Sequence, residues 1–71
     1  MEPFGVLLRR LRTTAGLSLR DLSRQVNYDH SYLSQIERGA KPPTPALATA
    51  CDRALDTGGM LVEAYERHAG E

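Results

Sequence analysis

Hydrophobic residues recur every three or four positions along most of this chain, which is the spacing of one face of an α-helix. Five segments follow this pattern, and no segment alternates hydrophobic and polar residues over the length of a strand. In the first segment, about residues 4–14, the hydrophobic positions are Phe4, Leu7, Leu8 and Leu11. The pattern therefore predicts an all-α fold of five helices.

Capping residues define the second and third helices. Ser18 and Asp21 have the spacing of a capping box, so the second helix is expected to begin just after Ser18 and to end near Val26. Asn27 then suits the left-handed backbone conformation of a tight turn, because Asn tolerates it better than most residues. Asp29 is the expected N-cap of the third helix. Two short helices joined by a three-residue turn form a helix-turn-helix.

The last two helices have less uniform signals. The fourth is expected to begin at Pro45, since Thr44 is a good N-cap and Pro is favoured in a first turn. Its hydrophobic positions are Leu47, Cys51, Ala54 and Leu55. The fifth covers about residues 58–68, although Gly58 and Gly59 at its start have low helix propensity.

The third helix has one hydrophobic and one polar face. Helical geometry groups Tyr32, Leu33 and Ile36 within an arc of roughly 100°. A separate arc of roughly 140° carries only polar side chains: His30, Ser31, Ser34, Gln35 and Arg38. Such residues read base edges, since Gln pairs with adenine and Arg with guanine. The pattern favours DNA binding by this face, with the helix-turn-helix at about residues 18–38.

Composition and charge limit the other function classes. The net charge is zero, but residues 1–41 hold seven Arg and Lys against four acids (+3), and residues 42–71 hold two against five (−3). This split favours a basic face toward phosphate.

The single cysteine excludes an internal disulfide and a cysteine-rich metal cage. No nucleophile with a nearby base and no cofactor motif is present, so we expect neither catalysis nor a cofactor. No apolar run reaches the roughly 18 residues of a membrane span, which favours the cytoplasm.

Residues 4–56 resemble the lambda-repressor/Cro-like helix-turn-helix family of the Xre type. The matching stretches are LLRRLRTTAGLSLRDLSRQV for the first two helices and DHSYLSQIERGAKPPT for the third helix and its exit. The following ALDTGGMLVEAYE resembles the segment after this domain in many actinobacterial regulators. The resemblance implies a single lambda-repressor-like domain over residues 1–71.

The resemblance also implies residue roles. The third helix would lie in the major groove, with base contacts from His30, Ser31, Ser34 and Gln35 and phosphate contacts from Arg38 and Lys41. Arg12 of the first helix would form a structural ion pair with Glu37, which offsets an acid beside the DNA surface. The family commonly has Gln where this chain has Leu19, so that phosphate contact is in doubt and Arg20 is the expected substitute.

The implied function is sequence-specific binding of double-stranded DNA by a bacterial transcriptional regulator at the nucleoid. Such regulators usually bind as homodimers. Dimer contacts would come from Met60, Val62 or Tyr65 of the fifth helix, or from a region outside this chain. A missing C-terminal sensor domain or a partner protein is a further expected partner. The alternative is a protein-interaction module on the same fold, such as an antitoxin or a regulator-partner domain. Zero net charge suits that alternative.

Overall fold

The computed structural model describes residues 2–69, with side chains described as far as Arg67. Met1, Gly70 and Glu71 of the expected 1–71 domain therefore lie outside the described residues. The described part of the chain contains five α-helices and confirms the all-α class: α1 (Phe4–Thr14), α2 (Leu19–Val26), α3 (His30–Glu37), α4 (Pro45–Leu55) and α5 (Met60–Ala69). None of these helices is long and apolar enough to cross a membrane.

The α2 boundaries follow from local hydrogen bonds. The Ser18 hydroxyl accepts the Asp21 backbone N–H at 3.0 Å, and the Asp21 carboxylate accepts the Ser18 backbone N–H at 3.0 Å, which confirms the capping box. The Ser18 backbone amide and hydroxyl hold the pKa of Asp21 below its ordinary value. The hydrogen bonds between Ser18 and Asp21 therefore contribute to stability at neutral pH. This contribution decreases as the pH falls through the lowered pKa of Asp21. Asn27 ends α2 with a φ of 61°, as predicted.

The predicted start of α4 is confirmed, and that of α5 was about two residues too early. The Thr44 hydroxyl accepts the Leu47 N–H at 3.2 Å, and Pro45 occupies the first turn of α4. The fifth helix begins at Met60 and not at residue 58. Gly58 and Gly59 have φ values of 65° and 98°, a backbone conformation that cannot continue into a right-handed helix.

A single hydrophobic core lies among all five helices. Its fully buried side chains come from every helix: Leu8, Leu22, Leu33, Ile36, Leu47, Cys51 and Leu61. Of the predicted α4 positions, Ala54 and Leu55 are only half-buried, while Ala48 is buried in addition. Burial raises the pKa of the Cys51 thiol to about 12, so Cys51 behaves as a small hydrophobic residue and not as a nucleophile.

Gly5 allows α1 to approach the end of α3 closely. A Cβ atom at Gly5 would lie 2.3 Å from the Ile36 carbonyl oxygen and 2.5 Å from that of Glu37. Both are backbone atoms that cannot rotate away, so any larger residue would push the two helices apart. The contact places the N-terminal half of α1 directly against the C-terminal end of α3.

Asp52 is a buried charged residue that the α4 pattern did not indicate. Its side chain lies between α4 and α5, and the residue is only 8% exposed. The carboxylate accepts the backbone N–H of Leu61 at 2.8 Å, that of Val62 at 2.9 Å, and the hydroxyl of Thr57. First-turn amides have no partner within their own helix. Asp52 of α4 therefore caps α5 from a different helix.

We expect Asp52→Ala to lower the free energy of unfolding by about 1–3 kcal/mol, because it leaves two amides of α5 without an acceptor in a buried site. Urea denaturation followed by circular dichroism measures this change. Glu66→Ala is the matched control, since Glu66 is an exposed acid on α5. Equal stability of the two variants would contradict the capping role.

Candidate nucleic-acid interface

One side of α3 is buried and the other is accessible. Leu33 and Ile36 pack in the core, at 0% and 1% exposure. The polar face of α3 consists of five residues, of which Ser31 and Arg38 are exposed and the others are half-buried: His30, Ser31, Ser34, Gln35 and Arg38. The structure thus gathers the four candidate base-contacting residues on one accessible surface, and none of them is buried in the core.

Two local contacts fix the entry into α3. The Asp29 carboxylate accepts the Ser31 backbone N–H at 2.9 Å, which makes Asp29 the N-cap of α3 as predicted. The Ser23 hydroxyl of α2 donates to the Tyr28 carbonyl at 2.5 Å. These bonds tie the three-residue turn to both helices, so the angle between α2 and α3 does not depend on the core alone.

Arg12 and Glu37 form a bidentate ion pair between α1 and α3. Arg12 Nε lies 2.7 Å from Glu37 Oε2, and Arg12 Nη2 lies 3.0 Å from Glu37 Oε1. Their side chains are only 11% and 6% exposed. Arg12 also donates from Nη1 to the Leu17 carbonyl at 2.9 Å, so one guanidinium joins α1, the α1–α2 loop and α3. The hydrogen bonds to Glu37 raise the pKa of Arg12.

A cleft of about 250 Å³ borders the polar face on the α1 side. We call it the basic cleft; its walls come from α1, α2, α3 and the α3 exit: Arg9, Arg12, Leu19, Ser34, Glu37 and Arg38. Arg38 and Ser34 are thus in the same depression as Arg12 and Glu37. Arg20 is exposed at the start of α2 but does not line this cleft.

Arg9 is a residue of this surface that the sequence reasoning did not single out. It precedes Arg12 by three positions, a spacing that places two side chains on the same side of a helix. Once Arg12 was expected to face α3, this three-residue spacing was the sequence signal that could have identified Arg9.

The opposite edge of the polar face carries aromatic rings and Lys41. The rings of Tyr28 and Tyr32 stack with their centroids 5.7 Å apart. The Lys41 ammonium lies 5.7 Å from the centroid of the Tyr32 ring, within the range of a cation–π contact. Lys41 is therefore held beside the end of α3, although the chain there is outside any helix.

The helix-turn-helix surface offers binding chemistry through amide, hydroxyl, imidazole and guanidinium groups. Across the described residues, no three His, Cys, Asp or Glu side chains gather in a way that could hold a metal ion.

We expect Arg12→Ala to lower the free energy of unfolding by about 3 kcal/mol, because it leaves the Glu37 carboxylate mostly buried without its counter-ion. The matched control is Arg10→Ala on the same helix, where the lost partner Glu2 is solvent-accessible. Chemical denaturation of the two variants gives the comparison. If both lose the same stability, the Arg12–Glu37 pair is not a structural constraint on α3.

Comparison with known proteins agrees with this architecture. A family model described as a helix-turn-helix domain matches residues 3–65. The chain is 39% identical over 70 residues to the transcriptional regulator ClgR of Mycobacterium tuberculosis, in strains CDC 1551 and H37Rv alike. The alignment covers 96% of this chain but 62% of each relative, so the chain spans less than two thirds of their length. No solved structure gives a significant match. The match over residues 3–65, on a chain whose α2 and α3 have this geometry, shows that the protein belongs to the helix-turn-helix domain family.

Proposed function

We propose that this chain is a sequence-specific DNA-binding domain of a transcriptional regulator, with α3 inserted in the major groove. The observation that carries the proposal is the accessible polar face of α3 on a helix whose other side is fully buried. A major groove about 12 Å wide admits an α-helix, and its base edges offer hydrogen-bonding groups in a sequence-dependent pattern. The similarity to relatives named as transcriptional regulators supports the same function.

The polar face supplies the base contacts in this proposal. Gln35 has the two-sided amide that pairs with adenine, and the small side chains of Ser31 and Ser34 let the helix approach the groove floor. His30 is the first residue of α3, next to the Asp29 cap, and it is half-buried. These four residues are the proposed base-reading set.

The proposed phosphate contacts lie at the edges of that face. Arg38 follows α3 directly as its C-cap, and Lys41 is held beside Tyr32. Arg20 is exposed in the first turn of α2, where free backbone amides also favour an anion. Cations on either side of α3 suit a helix that lies between the two phosphate backbones of a groove.

The proposed assembly is a homodimer on double-stranded DNA at the nucleoid in the cytoplasm. Helix-turn-helix dimers bind half-sites about 34–36 Å apart, one helical turn of DNA. Met60 is 43% exposed on α5 and is available for a dimer or inter-domain contact, whereas Val62 and Tyr65 are half-buried. The alignment covers 62% of each relative's length, so the relatives contain further sequence in which a sensor or partner domain of the expected kind could lie.

The rival function is a protein-interaction module, which the zero net charge favours. Salt dependence separates the two functions. A domain that binds duplex DNA loses affinity with a log–log slope of about −0.9 for each phosphate it neutralises. Selection of bound duplexes from a random pool, followed by a salt titration of the selected site, tests the proposal. Absence of any enriched sequence, with no salt-dependent duplex binding, would favour the rival.

We expect Gln35→Ala to weaken binding to the selected site by about 1–3 kcal/mol and to relax preference at one base pair, because it removes a paired hydrogen bond to a base. Competition binding against duplexes altered at single positions measures both effects. Gln25→Ala is the control, since Gln25 is exposed at a depression between α2 and α4. An equal loss on random and selected DNA would refute base reading by Gln35.

We expect Arg38→Ala to weaken binding to all duplexes alike and to flatten the salt slope by about one unit, since one phosphate contact is lost. Arg53→Ala removes the same charge from the exposed surface of α4 and is expected to leave the slope unchanged. Fluorescence anisotropy at several salt concentrations gives the slopes. A slope equal to that of the unmodified protein would remove Arg38 from the phosphate contacts.

A further inference from the structure

Two consecutive arginines of α1 face different surfaces of the molecule. Arg10 is bound by Glu2 through two hydrogen bonds, of 3.0 and 2.8 Å, and lines a depression beside Met60 and Glu63 of α5. Arg9 instead lines the basic cleft, across from Ser34 and Arg38. The packing of α1 between α3 and α5 gives these two neighbouring residues different surroundings.

The basic cleft has an excess of positive charge that its own residues do not neutralise. Glu37 is the single acid among its lining residues, and it is occupied by Arg12. Arg9 and Arg38 are both exposed, and neither has an ion pair among the described side chains. Three positive charges against one negative charge leave a net charge of two in a depression of about 250 Å³. Such a site favours an anion.

The side chains that line the cleft favour a phosphate group over a carboxylate as the bound anion. Guanidinium groups from two different helices and the Ser34 hydroxyl supply several donors around one depression, and phosphate accepts from several directions. The Leu19 side chain provides an apolar wall without a side-chain donor. Any side-chain hydrogen bond to an anion in this cleft must therefore come from α1 or from α3 and its C-cap.

We propose that Arg9 binds a backbone phosphate of the DNA in the basic cleft, jointly with Arg38. The proposal rests on the proposed function, and it adds α1 to the helices that contact the nucleic acid. Arg9 lines the cleft itself, whereas Arg20 lies outside it. The Arg12–Glu37 pair forms the back of the site and carries no net charge.

This phosphate site sets the register of α3 on the duplex. Two residues of α1 contact the C-terminal end of α3. Gly5 does so through the close approach of the two backbones, and Arg12 does so through its ion pair with Glu37. Arg9 lies between them on α1, so the contacts that join α1 to α3 also fix the position of the Arg9 backbone relative to α3. A phosphate held by Arg9 and Arg38 is thereby placed at a fixed distance from the base-reading side chains of the polar face.

The test compares Arg9→Gln with Arg10→Gln, two neighbouring substitutions that remove the same charge. We expect Arg9→Gln to reduce the salt slope of duplex binding by about 0.9 units and to weaken selected and random duplexes alike. Arg9→Lys is expected to recover the slope, because it restores the charge. Arg10→Gln is expected to keep the slope of the unmodified protein. Thermal melting followed by circular dichroism checks that all three variants fold as the unmodified chain does.

The outcomes separate this inference from the proposed function. If Arg9→Gln and Arg10→Gln give the same salt slope while Arg38→Ala flattens it, the assignment of Arg9 is overturned and DNA binding stands. If the unmodified protein binds no duplex, both proposals are overturned together. A loss confined to the selected site, with random duplexes unaffected, would make Arg9 a base-reading residue and would also overturn the phosphate assignment.

Discussion

The position of α3 on the surface of the domain depends on the ion pair between Arg12 and Glu37. A carboxylate at the edge of the proposed DNA-binding surface would repel phosphate, and a carboxylate that is 6% exposed would be costly without a counter-ion. The guanidinium of Arg12 meets both requirements through two hydrogen bonds and binds the Leu17 carbonyl as well. The pair therefore fixes α3 against α1 and neutralises the negative charge of Glu37 beside the polar face of α3.

Gly5 and the hydrophobic side of α3 make this arrangement possible. The backbone of α1 can approach the Ile36 and Glu37 carbonyls only because residue 5 has no side chain. Leu33 and Ile36 bury the other side of α3 in the core. A short helix of this kind has little stability by itself, since helix formation requires a costly first turn. Contacts with α1 and α2 and the burial of Leu33 and Ile36 hold α3 in place, and its polar face remains accessible.

Asp52 plays a comparable part at the other end of the molecule. It lies on α4, yet its hydrogen bonds serve the first turn of α5, where Gly58 and Gly59 offer no capping side chain. The buried carboxylate thus links two helices that local propensity would leave independent. The two mostly buried carboxylates in the described chain, Glu37 and Asp52, each accept hydrogen bonds from a different helix. Tertiary contacts of this kind hold a domain with a small core in one arrangement.

The sequence alone determined the five helices, the N-caps at Ser18, Asp29 and Thr44, the turn at Asn27, and the polar composition of the α3 face. Helical periodicity and capping act over three or four residues, so they can be read from a short stretch of chain. It could not locate the start of α5, whose cap comes from Asp52, eight positions before Met60 on another helix. The spacing of Arg9 from Arg12 hinted at a shared side of α1, but only the packing of α1 against α3 and α5 formed the basic cleft and placed Arg9, and not Arg10, in its wall. Local hydrogen bonds are encoded in short stretches of chain, whereas a surface built from three helices exists only after they pack.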